Sequence, residues 1–134
     1  MRRSFTLIEL MLVVIIIGIL AGFALPNYGK TSRRSRARDA ITSLTMISAA
    51  NVIYKARTGS NLTGSASITD INTALSLNIV ANQATYKCGS GTAAVNTCNA
   101  TSTAGSTDYV ITVDLNADLS TTNPSCATSN SSCP

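Results

Sequence analysis

The chain has 134 residues, a formal net charge of +4, 45% hydrophobic residues and only 12% charged ones. That length holds one domain, or a small domain plus a membrane segment, and so few charges are sparse for a fully soluble surface. There is no His and no Trp, which excludes histidine-based acid/base, triad and metal chemistry; no enzyme activity and no cofactor are expected.

The charge is unevenly spread. Before Asp39 seven basic residues (Arg2, Arg3, Lys30, Arg33, Arg34, Arg36, Arg38) stand against Glu9, a net of +6. From Asp39 onward three (Lys55, Arg57, Lys87) stand against five Asp, a net of −2. The basic character therefore belongs to the N-terminal third, and the remainder is nearly neutral and rich in Ser, Thr, Asn and Ala.

From Phe5 to Leu25 the chain is apolar apart from Thr6 and Glu9. At about 1.5 Å per helical residue this stretch reaches roughly 30 Å, one bilayer core. It is longer than the roughly 7–15 residues of a signal-peptide core. Leu25-Pro26-Asn27 spoils a small-residue cleavage pattern at its end, and it contains a carboxylate. A charge deep in a bilayer costs at least about 2.5–3.5 kcal/mol and calls for a partner, and the stretch offers no basic side chain. Cutting the chain between Ser4 and Phe5 would free an ammonium group on Phe5, able to pair with Glu9 of a neighbouring copy.

These residues carry a resemblance. MRRS followed by FTLIEL (Phe5 to Leu10), and the run on through Pro26 and Tyr28, resembles the N-terminus of type IV pilins and of the pseudopilins of type II secretion. The match is close over Met1–Tyr28 and looser over Thr31–Tyr54. It implies cleavage by a prepilin peptidase between Ser4 and Phe5, N-methylation of Phe5, and a role for Glu9 in matching the amine of the adjacent subunit during assembly. Ser4 stands where the family usually carries Gly; it too is small.

Gly18, Gly22 and Pro26 lie four residues apart. Gly costs a helix about 1 kcal/mol and Pro about 3, so a bend or local break is expected between Gly18 and Pro26; the resemblance implies a segment that unwinds in the fibre. Five cations follow between Lys30 and Arg38. By charge counting alone they would keep the C-terminal part inside the cell, whereas the cysteines argue for the outside. The outside reading is preferred. The cations then serve as a solvated helix face, as partners of another subunit, or as contacts to anionic lipid.

Helical periodicity resumes at Thr31. Ala37, Ala40, Ile41, Leu44, Ile47 and Tyr54 recur mostly at three- and four-residue steps, widened by Met46, Ala50 and Ile53, and Thr58-Gly59-Ser60-Asn61 is a stop. Beyond it, Ile68–Leu77 is expected to form a short helix or turn opening at Thr69-Asp70. Ile79–Cys88 and Tyr109–Leu115 read as strands, the latter by clear alternation. A third strand near Ala93–Cys98 would close a hairpin through Gly89-Ser90-Gly91.

Four cysteines allow three connectivities. The local pairs Cys88–Cys98 and Cys126–Cys133 are preferred, because each flanks a short loop in a head with a thin core. The second pair resembles the disulfide-bounded C-terminal loop of type IV pilins. A four-thiolate zinc site lacks the usual spacing. Asp114, Asn116 and Asp118 alternate like the start of a calcium loop, but Leu119 and Ser125 stand where its Gly and Glu belong; this is a weak calcium candidate, and no metal is expected. Asn61, Asn99 and Asn130 begin weak glycosylation sequons. Nucleic acid is not the expected partner, since beyond the Lys30–Arg38 cluster, which a filament would partly hide, the head carries only Lys55, Arg57 and Lys87.

The expected fold is α+β: a long N-terminal helix, its hydrophobic half protruding, packed on a small antiparallel sheet of three or four strands. Residues 1–4 would be a leader, 5–29 a transmembrane or filament-core helix, and 30–134 a globular head whose helical spine reaches about residue 57. The expected function is that of a structural type IV pilus subunit, made as an inner-membrane precursor. It would polymerise with its own copies into an extracellular fibre for adhesion, motility or surface interaction, served by the prepilin peptidase and the assembly machinery. The alternatives are a periplasmic pseudopilin of type II secretion and, from another class, a membrane-anchored DNA- or ligand-binding module.

Overall fold

A computed structural model describes residues 6–90, 93–103, 109–117 and 123–127, the side chains of 23–27 excepted. Six elements follow in order: α1 (Leu7–Thr58), α2 (Ile68–Leu75), β1 (Ala84–Cys88), β2 (Thr97–Ser102), β3 (Val110–Asp114) and β4 (Ser125–Ala127). The chain divides into two units, residues 1–32 and 33–134. Among the described residues the first contains Thr6 and the N-terminal part of α1. The second is an α+β head with its own core.

α1 is helical without interruption through Gly18, Gly22 and Pro26, so the break expected there is absent from the single chain. The helix runs on over many residues to either side, and a Cβ at Gly18 or Gly22 would meet nothing within 4 Å. Pro26 removes only the one backbone bond that the Gly22 carbonyl would otherwise accept. The helix ends at Thr58 as the sequence predicts. Gly59 follows with φ 82° and its N–H donates to the Lys55 carbonyl at 2.8 Å, a left-handed stop that glycine adopts without steric cost.

In the head, four strands form one antiparallel sheet in the order β1-β2-β3-β4. Cys88 lies opposite Cys98 and Tyr86 opposite Ala100; Ala100 lies opposite Ile111, and Ile111 opposite Cys126. Strand alternation puts Ala84, Tyr86, Cys88, Cys98, Ala100, Ile111 and Val113 into one buried cluster with Ala37, Ala40, Leu44 and Ile47 of α1 and Ile71 and Leu75 of α2. The helical stripe is narrower than predicted. Met46 and Ile53 are exposed at 46% and 59%, and the polar Ser48 and Asn51 are buried in their place.

Two strand boundaries also differ from the prediction. Ile79 does not enter the sheet, because the Asn72 carboxamide of α2 takes both of its backbone groups: its N–H donates to Asn72 Oδ1 at 3.0 Å and its carbonyl accepts from Nδ2 at 2.8 Å. β2 starts at Thr97 rather than near Ala93, because residues before it close turns. The Ala93 N–H donates to the Ser90 carbonyl and the Thr97 N–H to the Ala94 carbonyl, and Asn96 takes φ 65°. Part of the connection, including Gly91, lies outside the described residues. α2 is capped at Ser67, whose hydroxyl accepts from the Asp70 N–H at 3.2 Å while donating to the Asp70 carboxylate at 2.8 Å, ahead of the predicted opening at Thr69-Asp70.

Candidate functional site

The N-terminal part of α1 exposes nearly everything it carries. Between Leu7 and Leu20, twelve large aliphatic side chains are exposed at 46% to 77%. A helix that is apolar all round is one that becomes buried in something, and exposed apolar patches beyond a few hundred Å² mark interaction surfaces. Each such side chain gains about 1.5–3 kcal/mol when taken fully out of water. Among the described residues no helix is long and apolar enough to cross a membrane, so the transmembrane span expected from Phe5 to Leu25 is not met by the described part, whose side chains stop at Gly22.

At the head of this surface Thr6 and Glu9 form a capping box. The Thr6 N–H donates to Glu9 Oε2 at 3.2 Å, the Thr6 hydroxyl donates to the same oxygen at 2.9 Å, and the Glu9 N–H donates back to Thr6 Oγ1 at 3.4 Å. Two N–H groups at the helix start, which have no intrahelical acceptor, are thereby satisfied. The carboxylate also sits at the positive end of the helix dipole. The sequence reading valued Glu9 for its charge and missed the box; T-L-I-E is its signature. Ser4 and Phe5, where cleavage is predicted, lie outside the described residues.

The basic stretch falls on α1, with Lys30, Arg33, Arg34 and Arg38 exposed and Arg36 half-buried.

The sheet carries the Cys88–Cys98 disulfide, with both cysteines fully buried. Cys126 is disulfide-bonded as well; Cys133 lies outside the described residues. The weak calcium candidate is brought together differently from its prediction. Asp114 Oδ1 accepts from the Asn116 N–H at 2.9 Å, and Asn116 Oδ1 accepts from Lys55 Nζ at 3.2 Å and from Asn61 Nδ2 at 2.8 Å. That carbonyl oxygen is thus already turned to an ammonium and an amide. Asp118 lies outside the described residues. No group of three potential ligands among His, Cys, Asp and Glu gathers among the described residues.

The same contacts reveal an asparagine network that sequence reasoning missed. Asn51 Nδ2 donates to Asn61 Oδ1 at 3.0 Å, Asn51 Oδ1 accepts the Leu62 N–H at 2.8 Å, and Asn61 Nδ2 also reaches Asn96 Oδ1 at 3.0 Å. The end of α1, the segment after it, the β1–β2 connection and the end of β3 are joined through these side chains. The available signal was Asn51 itself, a polar residue at an apolar-face position four after Ile47. Asn61 and Asn99 are 6% and 2% exposed, so those two sequons are closed to a glycan in the folded head.

With this geometry in place, the class to which the N-terminus conforms is clear. Residues 1–25 match the prokaryotic N-terminal methylation motif, and the likeness to type IV pilins is shown over this segment. The type IV major pilin protein PilA of Myxococcus xanthus is 58% identical over 43 residues, 32% of this chain and 20% of that protein. The type IV major fimbrial protein FimA of Dichelobacter nodosus is 52% identical over 42 residues, 31% of this chain and 26% of that protein. The matched stretch thus spans about a quarter or less of these relatives. No solved structure matches. The fold agrees with the pilin expectation: a long N-terminal helix with a small antiparallel sheet.

Proposed function

We propose that the chain is a structural, non-catalytic subunit of a type IV pilus that polymerises with its own copies through the N-terminal part of α1. The observation that carries this is the exposed apolar surface from Leu7 to Leu20, headed by one carboxylate, in the stretch that matches major pilins. Before assembly the apolar run from Phe5 holds the precursor in the inner membrane. A prepilin peptidase cuts between Ser4 and Phe5, and the freed, methylated amine meets Glu9 of the adjacent subunit. The capping box fits this sequence of events. The cut leaves the Phe5–Thr6 peptide intact, so the Thr6 N–H and hydroxyl keep holding Glu9, lowering the cost of a carboxylate in apolar surroundings until the amine arrives. Pairing supplies register, and burial of the aliphatic side chains supplies most of the driving force. The fibre's outer surface, and with it any adhesion, motility or surface interaction, belongs to the disulfide-pinned head.

Mass spectrometry of cell-derived protein should show a mature N-terminus at Phe5, and Ser4→Gly should process at least as fast. Sheared extracellular fibres should be abundant. Glu9→Ala should leave the head folded and cut fibre yield steeply, since the Phe5 ammonium of the adjacent subunit is then left unanswered at a cost of about 2.5–3.5 kcal/mol, on the order of 100-fold in association. Fibres from Glu9→Ala at wild-type yield would remove the pairing mechanism. Subunits confined to the periplasm in short assemblies would replace the pilus with the pseudopilus of a type II secretion system, and an uncut Met1 chain without polymer would leave a membrane-anchored binding module.

A further inference from the structure

The arginines on the head's share of α1 have no role in the assembly just described. Arg33, Arg34 and Arg38 are exposed and Arg36 is half-buried, which places four guanidinium groups within six residues. Arg34 and Arg38, one helical turn apart, lie on the same side of the helix. Asp39 is the only acidic residue between Glu9 and Asp70, so the stretch is strongly positive along its own length.

We infer that Arg33, Arg34, Arg36 and Arg38 form a docking surface for the anionic phospholipid headgroups of the membrane that stores the unassembled subunit. Three observations favour this occupant. Arginine presents a planar fork of donors that matches phosphate oxygens. The cluster follows the apolar run closely in sequence, so any lipid binding by that run brings the cations to the headgroup layer at high effective concentration, where cations gain most from an anionic surface. Nucleic acid fits less well. No aromatic residue lies between Tyr28 and Tyr54 to stack on bases, and from Asp39 onward the chain adds only Lys55, Arg57 and Lys87, too few to track a phosphate backbone. Charge counting says that cations at this end of the apolar run oppose export; a use at the outer surface of the membrane gives them a role there. The attraction holds back each subunit until assembly replaces lipid contacts with protein ones, so the anionic lipid content of the membrane sets a threshold for extraction.

This inference rests on the membrane-stored precursor, and the test separates the two. The full chain is diluted from detergent into vesicles of phosphatidylcholine alone or with added phosphatidylglycerol, and partition is read by flotation. Binding to the neutral vesicles tests membrane storage; its absence in both compositions would overturn storage and the inference together. The ratio of anionic to neutral partition tests the arginines. Each one at the surface is worth roughly fivefold, so the ratio should lie between about 25 and several hundred and collapse at high salt. Arg34→Gln with Arg38→Gln should lower the ratio by more than about tenfold while leaving neutral partition and the circular dichroism spectrum unchanged. A ratio near one for the wild type, or a ratio the double variant does not change, would overturn the inference. So would a variant that changes only self-association in neutral detergent, which gives the arginines to a second copy, or displacement of anionic vesicles by stoichiometric duplex DNA.

Discussion

The two parts of α1 obey the same backbone geometry and opposite surface rules. From Leu7 to Leu20 the helix is aliphatic on every side and exposed on every side. From Ala37 to Asn51 it is two-sided: Ala37, Ala40, Leu44 and Ile47 are buried to within 1% while Thr42, Met46 and Ala49 face outward. The buried face completes its core within the head. The all-round apolar part cannot be satisfied by one stripe of contacts, and needs many like neighbours or lipid. The difference teaches where stability and assembly reside: substitutions in the second part act on folding, and those in the first act on association.

The comparison is broken most sharply by one substitution made twice. Leu44→Ala removes a fully buried side chain and should lower head stability by about 2–5 kcal/mol, measured by urea unfolding. Leu12→Ala, at 57% exposure, should leave that unfolding curve in place and weaken fibre formation instead. Equal effects of the two on unfolding would erase the distinction. Next comes the Cys88–Cys98 bridge, ten residues apart in sequence. Cys98→Ser should cost roughly 2–3 kcal/mol of head stability, seen as a lower midpoint in the same assay, with membrane partition of the chain unaltered. Asn51→Ala should cost about 1–3 kcal/mol, because it strands the Leu62 N–H and the Asn61 carbonyl oxygen inside the head. Amide exchange at Leu62 should quicken in that variant.

The smallest expected effect is a pH dependence. Burial, the largest cause, pushes the Tyr86 phenol above its usual 10.0, helped by the negative charge of Asp39 and opposed by a hydrogen bond with Ser43. The folded head therefore favours the neutral phenol. Stability from this group is intact below pH 10 and is lost as pH rises from there through the higher folded value. A Tyr86→Phe head should show a flatter stability curve above pH 10, and an identical slope in both proteins would remove Tyr86 as the cause.

The order of elements as far as β3 was legible in the sequence because local signals coincide with what tertiary structure demanded, whereas β4 carries no such signal. The helix stop at Thr58-Gly59 requires a residue that accepts positive φ, and the alternation through Tyr109–Leu115 matches the two faces of β3. The small helix after Ser67 was legible for the same reason. The strand ends were not, since Ile79 was withheld from the sheet by Asn72 and β2 was delayed by turns ending at Asn96, both of which are contacts between residues whose meeting no local pattern encodes. The helix carries on through Gly18 and Pro26 in the single chain because propensity is a weak prior when ordered turns continue on either side.

The amino-acid sequence alone thus determined that the N-terminal part of this protein is an aliphatic segment interrupted near its start by one carboxylate, since charge and hydropathy act within a few residues. Only the tertiary structure decided that the buried face of the second helical part takes in Ser48 and Asn51 and leaves out Met46 and Ile53, and that Asn51, Asn61, Asn96 and Asn116 join into one network. Those outcomes depend on strand register and on side chains meeting across 55 residues of chain, from Asn61 to Asn116, and burial rewards such meetings only once the whole head has closed.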